Sequence, residues 1–302
     1  MAIENKVDGE KRILTPNNIA SAFDVMKQKN HIPIAENSAL KVKDSHFVFF
    51  FGKPQMGKSA ILASMLYYLN ARAGTIRPKV NSPNSREAEV LLFDMLDNIK
   101  KGILPARTEI DKVIEIDLVF EPNNKSKKVK PINLTFLEMS GENLKEVRRG
   151  GTFIKSIDEF LTANIPLTFV MVTDFENADE DDSLMISFLN YLEKQPRKFK
   201  QVNAILVIAK WDKSGDSSAP HAEYLNKFIG EHMPMTNNQI DNYELTKTYY
   251  TLGTFTPQPN SDETLVQLNL TSAKTLTDWL YESVTGVSLN YEGTFWERLR
   301  GK

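Results

Sequence analysis

Gly52-Lys53-Pro54-Gln55-Met56-Gly57-Lys58-Ser59, followed by Ala60, carries the most specific chemistry in the sequence. Glycine, four residues, then Gly-Lys-Ser is the spacing of a loop whose backbone N–H groups wrap a polyphosphate. The N-terminus of the following helix would add its own N–H groups and its dipole. Lys58 would sit on the outer phosphates, and the Ser59 hydroxyl would ligate Mg²⁺. Pro54 pre-sets the loop backbone and removes one N–H donor. Before the loop lies an uninterrupted apolar run, residues 46–51, read as a buried central strand. After it Ile61, Leu62, Met65, Leu66 and Leu69 repeat at helical spacing. Strand, loop and helix are the setting this chemistry requires.

Further along, four short stretches follow in a telling order. Thr108 lies in a loop before two alternating strands; the second of these runs into Glu138-Met139-Ser140-Gly141-Glu142. The apolar run 202–208 ends in Ala209-Lys210-Trp211-Asp212, and Leu252-Gly253-Thr254 ends a later strand. Taken with the phosphate loop, this order resembles a GTPase of the Ras-like class over about residues 46–285.

The resemblance implies roles residue by residue. Asp212 would accept the ring N–H and exocyclic amino group of guanine, while the Lys210 stem lies across the base. Adenine lacks that donor pair, and a buried carboxylate left unmet costs selectivity. Ala209 stands where the family has Asn or Thr, which removes a side-chain tie between base loop and phosphate loop. Thr108 would present its hydroxyl to Mg²⁺ and the γ-phosphate, with Thr75 a weaker competitor. Glu138 would reach the metal through water, and Gly141 would give its N–H to the γ-phosphate, so that hydrolysis relaxes the segment. Glu142 stands where relatives carry a water-positioning Gln, and its charge beside a triphosphate implies slow hydrolysis. Arg148 and Arg149 read as a solvated basic face before an internal arginine finger. The last base contact has two candidates, Gly253 with its neighbours and Ser272-Ala273-Lys274; the first is preferred. An extra helix before Thr108 and the MSGE stretch look more like bacterial GTPases of the double-GTPase type, which act with a second GTPase.

The elements that must position these residues alternate along the chain. Helical spacing recurs at 88–99, at 184–192 and at 271–284, and another helix is read over 219–231. Alternating strands are read at 114–120 and 132–136, joined by an exposed lysine-rich hairpin loop; buried or half-buried strands at 165–172, 202–208 and 247–255. Asp179 to Asp182 read as a solvated helix cap, a better account than a metal site. Residues 1–45 read as a helical and extended packing extension, 46–286 as one phosphate-loop domain and 287–302 as a tail. The expected fold is α/β: a three-layer P-loop NTPase fold with a mostly parallel sheet and one antiparallel hairpin strand.

Composition bounds the partners. With 302 residues, 41% apolar, the chain can bury a sizeable core, and a formal charge of −2 argues against a general nucleic-acid binder. Cysteine is absent, which excludes disulfides and thiolate metal sites. No run is long enough to span a bilayer, and a cytoplasmic protein is expected. The expected ligands are GTP or GDP with Mg²⁺, and the expected partner a protein, including a second GTPase. Two other readings stay open: a phosphate-loop ATPase or small-molecule kinase, and a nucleotide-binding scaffold without turnover.

Overall fold

The computed structural model describes residues 44–80, 85–105, 113–139, 144, 155–163, 165–195, 202–215, 219–257 and 263–293. Almost all of the expected N-terminal extension, together with Thr108, Gly141, Glu142, Arg148 and Arg149, lies outside them, as does the side chain of Glu138.

The first strand, β1 (His46–Phe51), is apolar on both sides because both sides are covered. Phe47, Phe49 and Phe51 enter one hydrophobic cluster, while Val48 and Phe50 enter the other. Helix α1 (Lys58–Tyr68) follows, its last turn widened over Leu69–Ala73, and a short strand β2 (Gly74–Pro78) comes next. Helix α2 (Ser85–Lys100) leads to the hairpin β3 (Val113–Pro122) and β4 (Ile132–Met139). Then α3 (Lys155–Thr162), β5 (Leu167–Asp174), α4 (Ala178–Lys194) and β6 (Asn203–Ala209) alternate. Two helices, α5 (Ala222–His232) and α6 (Pro234–Asn242), precede β7 (Thr246–Tyr249). A second hairpin, β8 (Gly253–Pro257) with β9 (Glu263–Leu268), and α7 (Thr271–Thr285) complete the order.

Seven strands form one sheet in the order β2-β3-β4-β1-β5-β6-β7. From β4 to β7 every pairing is parallel; β3 alone runs against its neighbours β2 and β4. One cluster draws on α1, α2 and α7, the other on α3 to α6, so helices cover both faces. The three-layer α/β expectation holds, with β3 as the antiparallel hairpin strand. Because β1, β4, β5 and β6 are parallel, the loops after them open at one end of the sheet, where such folds place ligands.

Four local expectations change. Residues 247–255 are not one strand: β7 ends at Tyr249, and the chain turns away at Gly253 into a separate two-stranded sheet. The polar link after α5 contains α6, whose start is held by the Asp182 carboxylate accepting from the backbone N–H of Met235 (3.1 Å) and Thr236 (2.8 Å). Asp181 and Asp182 are therefore buried partners, and only Asp179 and Glu180 fit the solvated-cap reading. Thr75 pairs with Glu121 at the opposite end of the sheet from the phosphate loop, which removes it as a competitor of Thr108.

Candidate functional site

The phosphate loop takes its shape from two glycines and one unusual side chain. Gly52 has φ +153°, and a Cβ there would meet the Val172 carbonyl oxygen of β5 at 2.2 Å. No other residue type lets β1 end so close to β5. Gln55 (φ 65°) and Gly57 (φ 87°) are left-handed, which turns the backbone back on itself before α1 starts. Gly57 accepts the first helical bond, from Ile61 N at 2.8 Å, and no side chain caps the helix. The first-turn N–H groups, orphaned in any helix, thus face the loop.

Lys58 is only 6% exposed. Its amine donates to the carbonyls of Gly52 (2.8 Å) and Lys53 (2.7 Å), so the charge lies inside its own loop. Half-buried Ser59 follows in the first turn of α1. Lys53 points the other way, out of the loop towards α4, where it pairs with Asp181 and lies 3.7 Å from Glu180. Asp181 also accepts from the Thr173 hydroxyl at 2.7 Å.

The second loop leaves β6 at Ala209. Lys210 is left-handed (φ 51°), and a tight turn, Trp211–Ser214, carries Asp212. Trp211 is buried among Phe175, Phe228, Tyr224 and Tyr249, with ring centroids 5.3 to 6.0 Å away. Its backbone N–H donates to the Tyr250 carbonyl at 3.2 Å, fixing this loop to the end of β7. Lys210 reaches the fully buried carboxylate of Asp174 at 2.6 Å. Asp174 in turn accepts from Asn177, backbone N at 2.9 Å and side-chain N at 2.7 Å.

These loops share a cavity of about 740 Å³, lined by Gln55, Gly57 and Ala60 on one side and Ala209, Lys210 and Asp212 on the other. Leu252 and Phe255 close it from the second hairpin, and Ile103 and Leu104 from the segment after α2. Asp212 also borders a second groove of about 900 Å³, together with Thr251, Gly253 and Lys274. The two candidate last-contact loops prove to be neighbours, since Thr251 N donates to the Ser272 hydroxyl at 3.1 Å. Tyr250 lies beneath, its hydroxyl 2.5 Å from that of Ser64; full burial pushes its ionisation well above the ordinary value, while the Ser64 bond pulls weakly the other way.

Sequence reading missed Asp174 and took Asp181 for part of a solvated cap. A charged residue closing the apolar run 167–174 was the available signal, because the carboxyl ends of parallel strands are where such folds collect ligand chemistry. Of the segments expected to respond to the γ-phosphate, residues 103–105 border the shared cavity side at Ile103 and Leu104. Glu138 lies on β4 opposite Phe50, one residue before the strand that feeds the phosphate loop ends. Among the described residues no group of three side chains with metal-ligand chemistry comes together. The hard oxygen of Ser59 fits a magnesium ion that takes its other ligands from phosphate and water.

No family model matches the chain, and no curated protein matches it. Among solved structures, it is similar to Toc33 from Arabidopsis thaliana in complex with Mg²⁺ and GMPPNP: 13% identity, 89% of this chain and 96% of that one covered, TM-score 0.39. It is also similar to Roco2 RocCORdC from Methanosarcina barkeri bound to GDP: 11% identity over 85% of this chain, TM-score 0.38. The chain spans 55% of that structure's length. The Arl6 BBS3 small GTPase from Trypanosoma brucei with bound GppNp matches at 14% identity over 68% of this chain and 85% of that one, TM-score 0.34. All three are remote likenesses.

Proposed function

We propose that the protein is a guanine-nucleotide-binding switch that hydrolyses GTP slowly and signals to a protein partner through residues 103–110 and 138–152. One observation carries the reading: Lys210 and Asp212 line the same cavity as the phosphate-loop residues Gln55, Gly57 and Ala60. A base on Asp212 and phosphates on the loop and Lys58 are then parts of one ligand. Lys58 would neutralise the outer phosphates, and the N–H groups of the loop and the first turn of α1 would hold them in place.

Magnesium, when bound, would offset the negative charge of the outer phosphates. Ser59 would hold it, with Thr108 as a further oxygen ligand and Glu138 reaching it through water on the sequence reading. Glu142 would position the attacking water. Its carboxylate resists approach to a triphosphate, and this is the reason for slow turnover.

Competition against a labelled guanine nucleotide tests the base. GTP and GDP should displace it, and ATP should be at least about a hundredfold weaker, because the Asp212 carboxylate would be left unmet by adenine. Asp212→Asn should move preference towards xanthosine nucleotides. Equal displacement by ATP would instead support a phosphate-loop ATPase or kinase.

A further inference from the structure

Ala209 itself offers no polar side chain to tie the base loop to the phosphate loop. Yet the two loops stand in register across one cavity. Two buried carboxylates at the corner between β5 and α4 account for this. Asp174, the last residue of β5, takes Lys210 from the base loop; Asp181, in the first turn of α4, takes Lys53 from the phosphate loop. Both carboxylates are 0% exposed.

The corner is itself braced. Thr173, next to Asp174, donates its hydroxyl to Asp181, and Asn177, at the N-terminus of α4, donates twice to Asp174. Phe175 N donates to the Ala209 carbonyl at 3.0 Å, so the same corner also holds the base loop by its backbone. A carboxylate removed from water tolerates little displacement of its cation, so each pair fixes one loop firmly.

We infer that Asp174 and Asp181 are positioning residues that hold the base loop and the phosphate loop at a fixed separation through the β5–α4 corner. The inference rests on the guanine-nucleotide reading above and adds the residues that set the geometry of that site. Neither carboxylate is among the residues that line the cavity. Lys210, left-handed at its backbone and held at its amine, is presented to the base by a stem fixed at both ends.

The test measures equilibrium binding of labelled GTP and GDP to the full chain. Asp174→Asn should weaken both nucleotides alike, by about tenfold or more, because it frees the base side; the scale is that of a broken buried charge pair, discounted for the partly exposed lysine. Asp181→Asn should weaken GTP several-fold more than GDP, because it frees the phosphate side. Restoring a tie from another direction should rescue binding. A Cβ on Gly57 would lie 4.0 Å from the Ala209 methyl, so an Asn at 209 reaches the phosphate loop. Ala209→Asn should therefore recover at least about threefold of the affinity lost in Asp174→Asn, a lost hydrogen bond being worth roughly this much.

A merely structural role would lower stability without changing the GTP to GDP ratio in Asp181→Asn, or without rescue of Asp174→Asn by Ala209→Asn. Either finding overturns the inference. Where Asp174→Asn fails to fold, Asn177→Ala removes one donor from the same carboxylate and should weaken both nucleotides two- to fivefold, about one hydrogen bond's worth; unchanged binding overturns the inference too. Absence of guanine-nucleotide binding by the unsubstituted chain would instead remove the underlying functional reading.

Discussion

At the scale of single residues, the phosphate loop depends on backbone that few residue types can adopt. Gly52→Ala would place a methyl 2.2 Å from the Val172 carbonyl at a φ of +153°. Neither β1 nor β5 can withdraw, since both are central strands paired on both sides. The expected loss is about 2–4 kcal/mol, read as a lower urea midpoint with an unchanged slope. Residues of this kind were legible in the sequence because their chemistry is local: Gly52, Gly57, Lys58 and Ser59 act through spacing along the chain. Asp174 and Asp181 were not legible, because their partners are 36 and 128 positions away (210 − 174 and 181 − 53). An acidic residue before a helix reads as a solvated cap until the lysine that covers it is known.

At the scale of elements, legibility followed length and pattern. The helix over 271–284 and the strands preceding the phosphate loop and Lys210 were apparent because their apolar residues recur in long, regular runs. β2 escaped notice because a five-residue strand bounded by Gly74 and Pro78 has no room for a pattern. α6 escaped because PMTNNQIDN is polar; the Asp182 carboxylate at its start and buried Thr236 and Ile240 make it a helix. The β7–β8 break at Tyr250–Leu252 escaped because apolar residues continue across it, though the pairing partner changes from β6 to β9. Packing between elements is more specific than either pattern. Phe188 of α4 stacks on Phe51 of β1 at 3.8 Å and meets Phe169 of β5 edge-on at 5.3 Å. Phe188→Ala should cost about 3–5 kcal/mol, because this layer is fully covered and the cavity left cannot collapse. Chemical denaturation would show it as an earlier midpoint.

At the scale of the whole molecule, burial couples folding to alkaline pH. Burial raises the ionisation of Tyr250, and burial with a hydrogen bond to Asp158 raises that of Tyr191, both from an ordinary value of 10.0. Below that value the hydroxyls are protonated in both states and contribute no pH dependence. Above it the unfolded chain ionises first, so stability falls as pH rises, by about 1.4 kcal/mol per pH unit for each tyrosine. Thermal unfolding from pH 9 to 11.5 should show the decline, and Tyr250→Phe should flatten it. The order of strands has a consequence of another kind, for biosynthesis. β1 is paired with residues 134–138 and 167–171, so HFVFFF leaves the ribosome long before either neighbour has been made. A run of four phenylalanines in six residues, with no charge and no proline, is a template for pairing with other chains. The strand on which the nucleotide site is built is thus made early and protected late. Its safe passage depends on whatever shields nascent chains during synthesis of the intervening hundred or so residues.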